Sequence, residues 1–505
     1  MSALLSTPLL ALLAILVPAG GGLVVLTYPW KRRISGLVMV GLVSLASLAM
    51  TVLIARLAVL GIREELVLFQ LVPPLRVALR IDAMGALFAM TVAATCALAL
   101  VHAVGYLPDD KRQWRFHGLL LISLGSMIGL SSAANLITLL LFYELFSLLA
   151  YPLIVHERTA AAFRAGLKYL VYILSGGALV FSGIVVVFWL ADSVTFLPGG
   201  VLPSAAPTGP LIAACCLLVA GFGVKAALMP LHGWVPDAHP AAPAPFSAVL
   251  SGVMVAAGIF AILRVLLEIF GPAMLDRLGV LPWLAGVAGF AVIVGAIRAV
   301  AEDDLKRRLA YSTISQMAYV SLAATLLNPT ALAGALVHIT HHAFFKGGLF
   351  FCAGSILALT GLRKISRMRG LGRRMPWTGG TLTLLALAMM GIPPLSGFVG
   401  KWTLGTGMVE TGGFAHLAVI LAGSLLAAVY LWPVIYRIWQ QPAKDDPCHG
   451  IPEGEPWAEP GWMLFAVLAA GLATVVLGIA AGLPGFPLEL ARMAAEQLLG
   501  APAWK

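Results

Sequence analysis

The sequence predicts an all-α polytopic membrane protein of about fourteen transmembrane helices, with two inverted five-helix repeats and breaks in helices 7 and 12. Three observations point there. Of 505 residues, 60% are hydrophobic and 11% charged, and the mean hydropathy is +0.98, which no soluble domain of this length matches. Apolar runs of bilayer length recur from one end of the chain to the other. Two of those runs carry a lysine beside prolines.

In order, the spans fall near 3–28, 34–58, 82–106, 117–133, 135–155, 168–191, 210–230, 247–270, 281–300, 306–327, 331–360, 377–408, 414–438 and 461–483. Each is close to the roughly 20 residues that cross a bilayer core. The spans 331–360 and 377–408 exceed what a straight helix needs, and the second contains GIPPLSG, so it is expected to be broken. The chain divides into helices 1–3 (1–116), a first repeat of helices 4–8 (117–270), a second of helices 9–13 (281–438), and helix 14 with its tail (439–505). Segments 61–80, 439–460 and 485–505 are expected as loops or short surface helices, and no soluble domain fits between the spans.

Basic residues orient the bundle. Alternate loops carry 21 of the 32 Lys and Arg, among them Lys31, Arg32, Arg33, Lys168, Lys306, Arg308 and Lys444. The opposite side carries 8, including Arg63, Arg264 and Lys505. By the positive-inside rule the rich side is cytoplasmic and both termini lie outside, in a cell inner (cytoplasmic) membrane. The net charge of +10 follows this topology and implies no nucleic-acid partner. Four of the five cysteines (Cys96, Cys215, Cys216, Cys352) lie in apolar runs and read as small core residues; with Cys448 they have no metal-ligand spacing. The N-terminus lacks a basic stretch before its apolar run and is taken as a retained first helix.

The stretch from Leu217 to Gly252 carries the first chemistry. Lys225 sits in an apolar helix, then Pro230 interrupts it, and Trp234, Asp237, His239 and further prolines follow. A lysine at bilayer depth costs a few kcal/mol or more, so it must face protein or water; near a helix end it would instead snorkel to the surface. Beside a broken helix, a buried cation marks an ion pathway. Glu144 lies in the fifth span. His338, His342 and Lys346 recur every four residues and share one helix face, with His341 turned about 100° away. Two His four apart can hold zinc, but a third ligand is missing, so no metal is expected. Lys401 follows Pro393 and Pro394, five spans after Lys225 and Pro230. Five is odd, so the second copy of the break would be inverted in the membrane.

Four segments, GFGVKAALMPLHGWVPDAHPAAPAPFSAVLSG, EDDLKRRLAYSTISQMAYV, HITHHAFFKGGLFF and GIPPLSGFVGK, resemble the antiporter-like subunits shared by respiratory complex I, energy-converting membrane-bound hydrogenases and Mrp cation/proton antiporters. The resemblance covers about residues 82 to 440, with the motifs in family order. It implies fourteen helices in two inverted repeats, and proton-translocating roles for Glu144, Lys225, His338, His342, Lys346 and Lys401, with helix breaks at Pro230, Pro393 and Pro394. The HGWVPDAHPAAPAP motif looks closer to the hydrogenase and complex I members than to the Mrp type. One departure stands out. Many relatives carry Lys or His in the eighth span, where Ala256 stands here and Phe246 to Leu263 holds no ionisable group. Ser247, Ser251 and water must then link Lys225 to the His338–Lys346 face.

The resulting expectation is an ion-moving subunit of a redox-driven complex. Glu144 holds a protonated Lys225 close by; separating the pair pushes a proton to His342 and Lys346, then to Lys401 and outside. Partners are other membrane subunits, the lipid bilayer and H+ or Na+. No cysteine cluster, Walker lysine or strand-linked GxGxxG is present, so no redox cofactor or catalytic residue is expected in this chain. The alternative is a gradient-driven cation/proton antiporter without electron transfer, and a third reading is a structural subunit that has lost transport.

Overall fold

Helices occupy every expected span, and several begin on a side chain suited to cap them. In the computed structural model, residues 7–28, 33–61, 64–72, 75–440 and 455–500 are described. Lys31, Arg32, Arg63, Lys444, Lys505, Cys448 and both chain ends lie outside the described residues. The helices are α1 (Thr7–Thr27), α2 (Arg33–Val59), α3 (Ala83–Tyr106), α4 (Gln113–Ser131), α5 (Leu136–Ile154), α6 (Ala160–Ala191), α7 (Thr208–Lys225), α8 (Val235–Ala241), α9 (Ala244–Phe270), α10 (Pro272–Leu278), α11 (Leu281–Ala301), α12 (Leu305–Ala324), α13 (Pro329–Thr360), α14 (Pro376–Met390), α15 (Ser396–Glu410), α16 (Phe414–Trp439), α17 (Gly461–Ile479) and α18 (Pro487–Leu499). Asp82, Asn135, Thr159, Asp304 and Asn328 each accept a backbone N–H from the first turn of the helix they precede. Such caps contribute about 1 kcal/mol each.

Among the described residues, eleven helices are long and apolar enough to cross a membrane. The expected spans 117–133 and 306–327 form α4 and α12, and the twelfth is split into α14 and α15, of 15 residues each. The protein is an all-α, multi-pass integral membrane protein. One segment departs from expectation. Two antiparallel strands, β1 (Glu65–Val72) and β2 (Leu75–Arg80), pair with each other in place of a loop or surface helix. The apolar run LVLFQLV is rich in strand-forming residues, and β2 is anchored to the bundle, where Arg80 N–H donates to Ser132 O (2.7 Å) and Ala78 N–H to Thr138 Oγ1 (3.0 Å).

The core runs along α9. All its residues are buried, and it packs on α3, α7, α12 and α13. Outer helices instead show lipid-facing stripes, as on α6, where Phe163, Leu167, Val171, Leu174, Phe181, Val185 and Trp189 are exposed at helical spacing. Cys216 belongs to such a face and is exposed, not a core residue, because α7 turns only one side inward; Cys96, Cys215 and Cys352 are buried. Within α9, Leu250–Met254 and Val265–Phe270 widen to π-helical turns. Wide turns of this kind cluster at functional sites.

Candidate functional site

α7 stops at Lys225, ahead of Pro230. Ala227 takes a left-handed conformation (φ 57°) and turns the chain away before the proline is reached. Lys225 therefore ends its helix and does not sit inside it. The carbonyl of Val224 is satisfied by Trp234 Nε1 (2.8 Å), so the break leaves the lysine free for another role. Its ammonium is fully buried and donates to the Tyr169 hydroxyl (2.8 Å), which donates to Ser147 O (2.8 Å). The rings of Phe146, Tyr169 and Trp234 lie 4.7, 5.1 and 5.9 Å from Nζ. Desolvated cation–π contacts of this type stabilise a cation by about 2 kcal/mol or more, a partial offset to burial.

Glu144, on α5, is half-buried, and among the described residues no ion pair joins it to Lys225. The carboxylate turns to α6 instead, where Oε1 rests against Gly177 so closely that a Cβ there would overlap it. Oε1 has no hydrogen-bond partner in the protein. Lys225 and Glu144 still interact through their charges across the aromatic cage.

The second cluster lies on α13. His338, His342 and Lys346 are all fully buried, and the two imidazoles sit 6.3 Å apart between centroids. None of the four imidazole nitrogens has a protein partner. Buried imidazole nitrogens are normally hydrogen-bonded, so this face calls for water, the material of a proton path. Lys346 Nζ donates to Ser312 Oγ, and Thr313, next along α12, pairs with Ser251 Oγ at 2.6 Å. Ser251 lies in the first π turn of α9 and so meets α12 one residue from the Lys346 partner Ser312. Ser247 does not. Its hydroxyl donates to His239 O (2.8 Å), with the carbonyls of Ala242 and Pro243 also within 3.2 Å, so it is held at the break. Ala256 is fully buried among apolar neighbours.

At the second break α14 ends on Gly391 (φ 93°), and Pro393–Pro394 separate it from α15. Lys401 is half-buried. Its Nζ donates to Met389 O (2.8 Å) and Met390 O (3.2 Å), capping the end of α14. Tyr319 connects it to the histidines: its ring lies 5.5 Å from Lys401 Nζ and stacks on His338 at 5.9 Å.

Several buried groups were invisible or misplaced in the sequence. Arg264, Lys306 and Arg308 count there as loop cations, yet all three are buried. Arg264 donates to Asp82 (2.5 and 2.8 Å) and Glu268 (2.5 Å), a closed ion network that explains how it leaves water; the Arg264–Glu268 spacing of four was the available signal. Tyr169, Ser312 and Tyr319 carried no signal, since nothing distinguishes them locally from packing residues.

Residues 133–427 match the family described as NADH:quinone oxidoreductase/Mrp antiporter, TM. The chain is 35% identical to NADH-quinone oxidoreductase subunit N of Desulforudis audaxviator over 81% of its length and 83% of the relative's. It is 30% identical to hydrogenase-4 component B of Escherichia coli over 69% of its length but 53% of the relative's, and so spans about half of that longer protein. It is 27% identical to a Na(+)/H(+) antiporter chain of Bacillus subtilis, over 79% and 81% of the two chains. Its fold is similar to a chain of the Mrp complex from Dietzia sp. DQ12-45-1b (TM-score 0.85, 22% identity, 98% and 97% covered). It is similar also to a chain of respiratory complex I from Thermus thermophilus (TM-score 0.82, 23% identity, 97% and 100% covered).

Proposed function

This chain belongs to the NADH:quinone oxidoreductase/Mrp antiporter membrane family, and from that premise we propose that it translocates protons as one membrane subunit of a redox-driven complex related to complex I or membrane-bound hydrogenase. The observation that carries the reading is the set of buried and half-buried ionisable groups at and between the two helix breaks: Glu144 and Lys225, then Lys346, His342 and His338, then Lys401. Four imidazole nitrogens without protein partners lie in the middle of it. No apolar packing requirement explains such a set, and each member is costly to bury.

In this reading Lys225 is the switch. The aromatic cage and the Tyr169 hydroxyl hold its charge, and Glu144 adds a Coulomb attraction of a few kcal/mol at an intermediate effective dielectric. A signal from a neighbouring subunit that moves Glu144 changes the charge of Lys225 and thereby the proton occupancy of Lys346. The proton leaves through His342, His338 and Lys401. Residues 117–270 and 281–438 act as inverted repeats, a reading supported by one lysine-bearing break in each. We place the chain in the cell inner membrane with both termini outside, on the distribution of its loop cations.

Identity of 35% to the NADH-quinone oxidoreductase relative, against 32% and 27% to antiporter chains, favours the redox-driven system by a small margin. Mass spectrometry of the intact complex tests this: co-purifying subunits with iron–sulfur or flavin groups are expected, and their absence from an active assembly overturns it. Proton uptake into sealed vesicles that proceeds equally without Na+ assigns H+ as the ion.

A further inference from the structure

Two buried titratable groups stand outside the relay. Lys306, at the start of α12, is 5% exposed, and His239, in the first break, is fully buried. Lys306 Nζ donates to Ala242 O (2.6 Å) and Pro240 O (3.3 Å), the carbonyls on either side of Ala241. Pro240 and Ala241 form part of the wall of a 710 Å³ vestibule on the face that carries the basic loops. Lys168, Asp237 and Arg307 line it, with ion pairs at 2.7 Å (Lys168–Asp237) and 3.7 Å (Arg307–Asp237). Glu157, Asp304 and Arg363 line it too, and the charges of all three act on Lys306. Lys306 is therefore the first group behind the vestibule wall.

His239 is the next. Its ring stacks on Phe350 of α13 at 5.3 Å, one turn beyond Lys346, and no hydrogen bond of ordinary length reaches either ring nitrogen. The charges of Lys306 and of Lys346 both act on it. A fully buried imidazole that two buried lysines act on, with only the Ser247 backbone near its ring nitrogens, is poorly explained by packing, where a phenyl ring would serve without the desolvation cost.

We propose that Lys306 and His239 form a second proton inlet, leading from the charged vestibule to Lys346 without passing through Glu144 or Lys225. Lys306 gives an Nζ proton to one ring nitrogen of His239, through water, and is recharged from the vestibule. The other ring nitrogen releases its proton to the neutral Lys346 amine. Each transfer breaks one N–H bond and forms another; the starting charge is restored when Lys346 passes its proton on, and the His239 ring, left in its other tautomer, is reset by a ring flip or by proton exchange through water. Lys225 then supplies the electrostatic push, and the inlet supplies the proton that Lys346 passes on. The inlet rests on the relay role proposed for Lys346, and its test separates the two.

Pumping by the intact complex in sealed vesicles is compared for the wild type, Lys225→Ala, His239→Phe and Lys306→Arg. His239→Phe keeps the ring against Phe350 and removes both nitrogens; Lys306→Arg keeps donors for the two carbonyls but holds its proton. Both are expected to slow pumping about tenfold and to raise the solvent isotope effect on coupled turnover, because proton uptake becomes limiting. A purely structural role leaves the isotope effect unchanged. Wild-type rates and isotope effects in both variants overturn the inlet, whatever Lys225→Ala does. Slow His239→Phe alongside a normally pumping Lys225→Ala keeps the inlet and discards the Lys225 switch. If His239→Phe does not assemble, His239→Gln, polar but without a titrating ring, carries the same comparison.

Discussion

At the first break Lys225 is fully buried in a cage of aromatic rings, whereas at the second Lys401 is half-buried and caps main-chain carbonyls. Both breaks free carbonyls at a helix end, and the difference lies in what satisfies them. At the first, Trp234 donates to Val224 O, which relieves Lys225 of that duty. At the second, the lysine itself donates to Met389 O and Met390 O. A cation at a helix C-terminus is favoured by the helix dipole by up to about 2 kcal/mol, so Lys401 has a local reason to stay charged. Lys225 has rings and one hydroxyl, which hold a charge without fixing it. These surroundings make Lys225 the responsive station and Lys401 the one anchored to the backbone.

The largest effect should come from the responsive station. Lys225→Ala is expected to lower pumping about 100-fold or more while the complex assembles, since the ammonium lines a cage whose walls remain. Glu144→Gln should do nearly as much and Glu144→Asp less. Wild-type pumping by Lys225→Ala in vesicles would exclude the switch and with it the contrast between the breaks.

Lys401 offers the sharper discrimination. Lys401→Met removes both carbonyl caps and the charge, and pumping should fall about tenfold or more, with coupled electron transfer slowing alongside. Lys401→Arg keeps a cation and its donors but cannot release a proton near neutral pH. If Lys401 is a relay, Arg fails like Met. A fully active Arg variant would make Lys401 a fixed cap and defeat the exit role, while leaving Lys225 untouched.

A smaller effect is expected where Glu144 meets α6. Gly177→Ala places a Cβ against Glu144 Oε1, and the flexible carboxylate must shift. Overpacking of this kind costs about 1–3 kcal/mol, here relieved mainly by moving Glu144. Pumping should drop several-fold and assembly should hold, as read by vesicle uptake and by yield of the intact complex. Unchanged uptake would mean that the position of Glu144 does not matter to Lys225.

What was legible in the sequence follows the reach of each signal. Span length and apolarity located the helices, and the lysines, histidines and prolines of both breaks stood out because each is costly in a membrane. Contacts across helices were not legible. Glu144 rests against Gly177, Tyr169 crosses from α6 to the lysine, and Ser251 meets Thr313 some 62 positions away in sequence. The paired strands β1 and β2 and the buried Lys306 were misread for a related reason: local composition records polarity, and tertiary packing decides whether a strand forms or a loop-side cation is covered.

The smallest predicted effect probes the cage at one atom. Tyr169→Phe keeps the ring 5.1 Å from Lys225 Nζ and removes only the hydroxyl, which accepts from Lys225 and donates to Ser147 O. Losing a hydrogen bond to a charged group costs about 1.5–3 kcal/mol, against the lysine's charged form alone. Because the remaining rings and Glu144 still act on Lys225, the switch should persist with its balance moved. Pumping is expected to fall only about threefold, because the remaining rings and Glu144 offset most of that cost; felt in full it would exceed a factor of ten, which corresponds to about 1.4 kcal/mol. The informative measurement is the double variant Tyr169→Phe with Glu144→Gln. If hydroxyl and carboxylate both act through the charge of Lys225, the two losses will not add, and the interaction energy exceeds about 0.5 kcal/mol. Strict additivity would place Tyr169 outside the switch and reduce the cage to packing, removing the feature that sets the first break apart from the second.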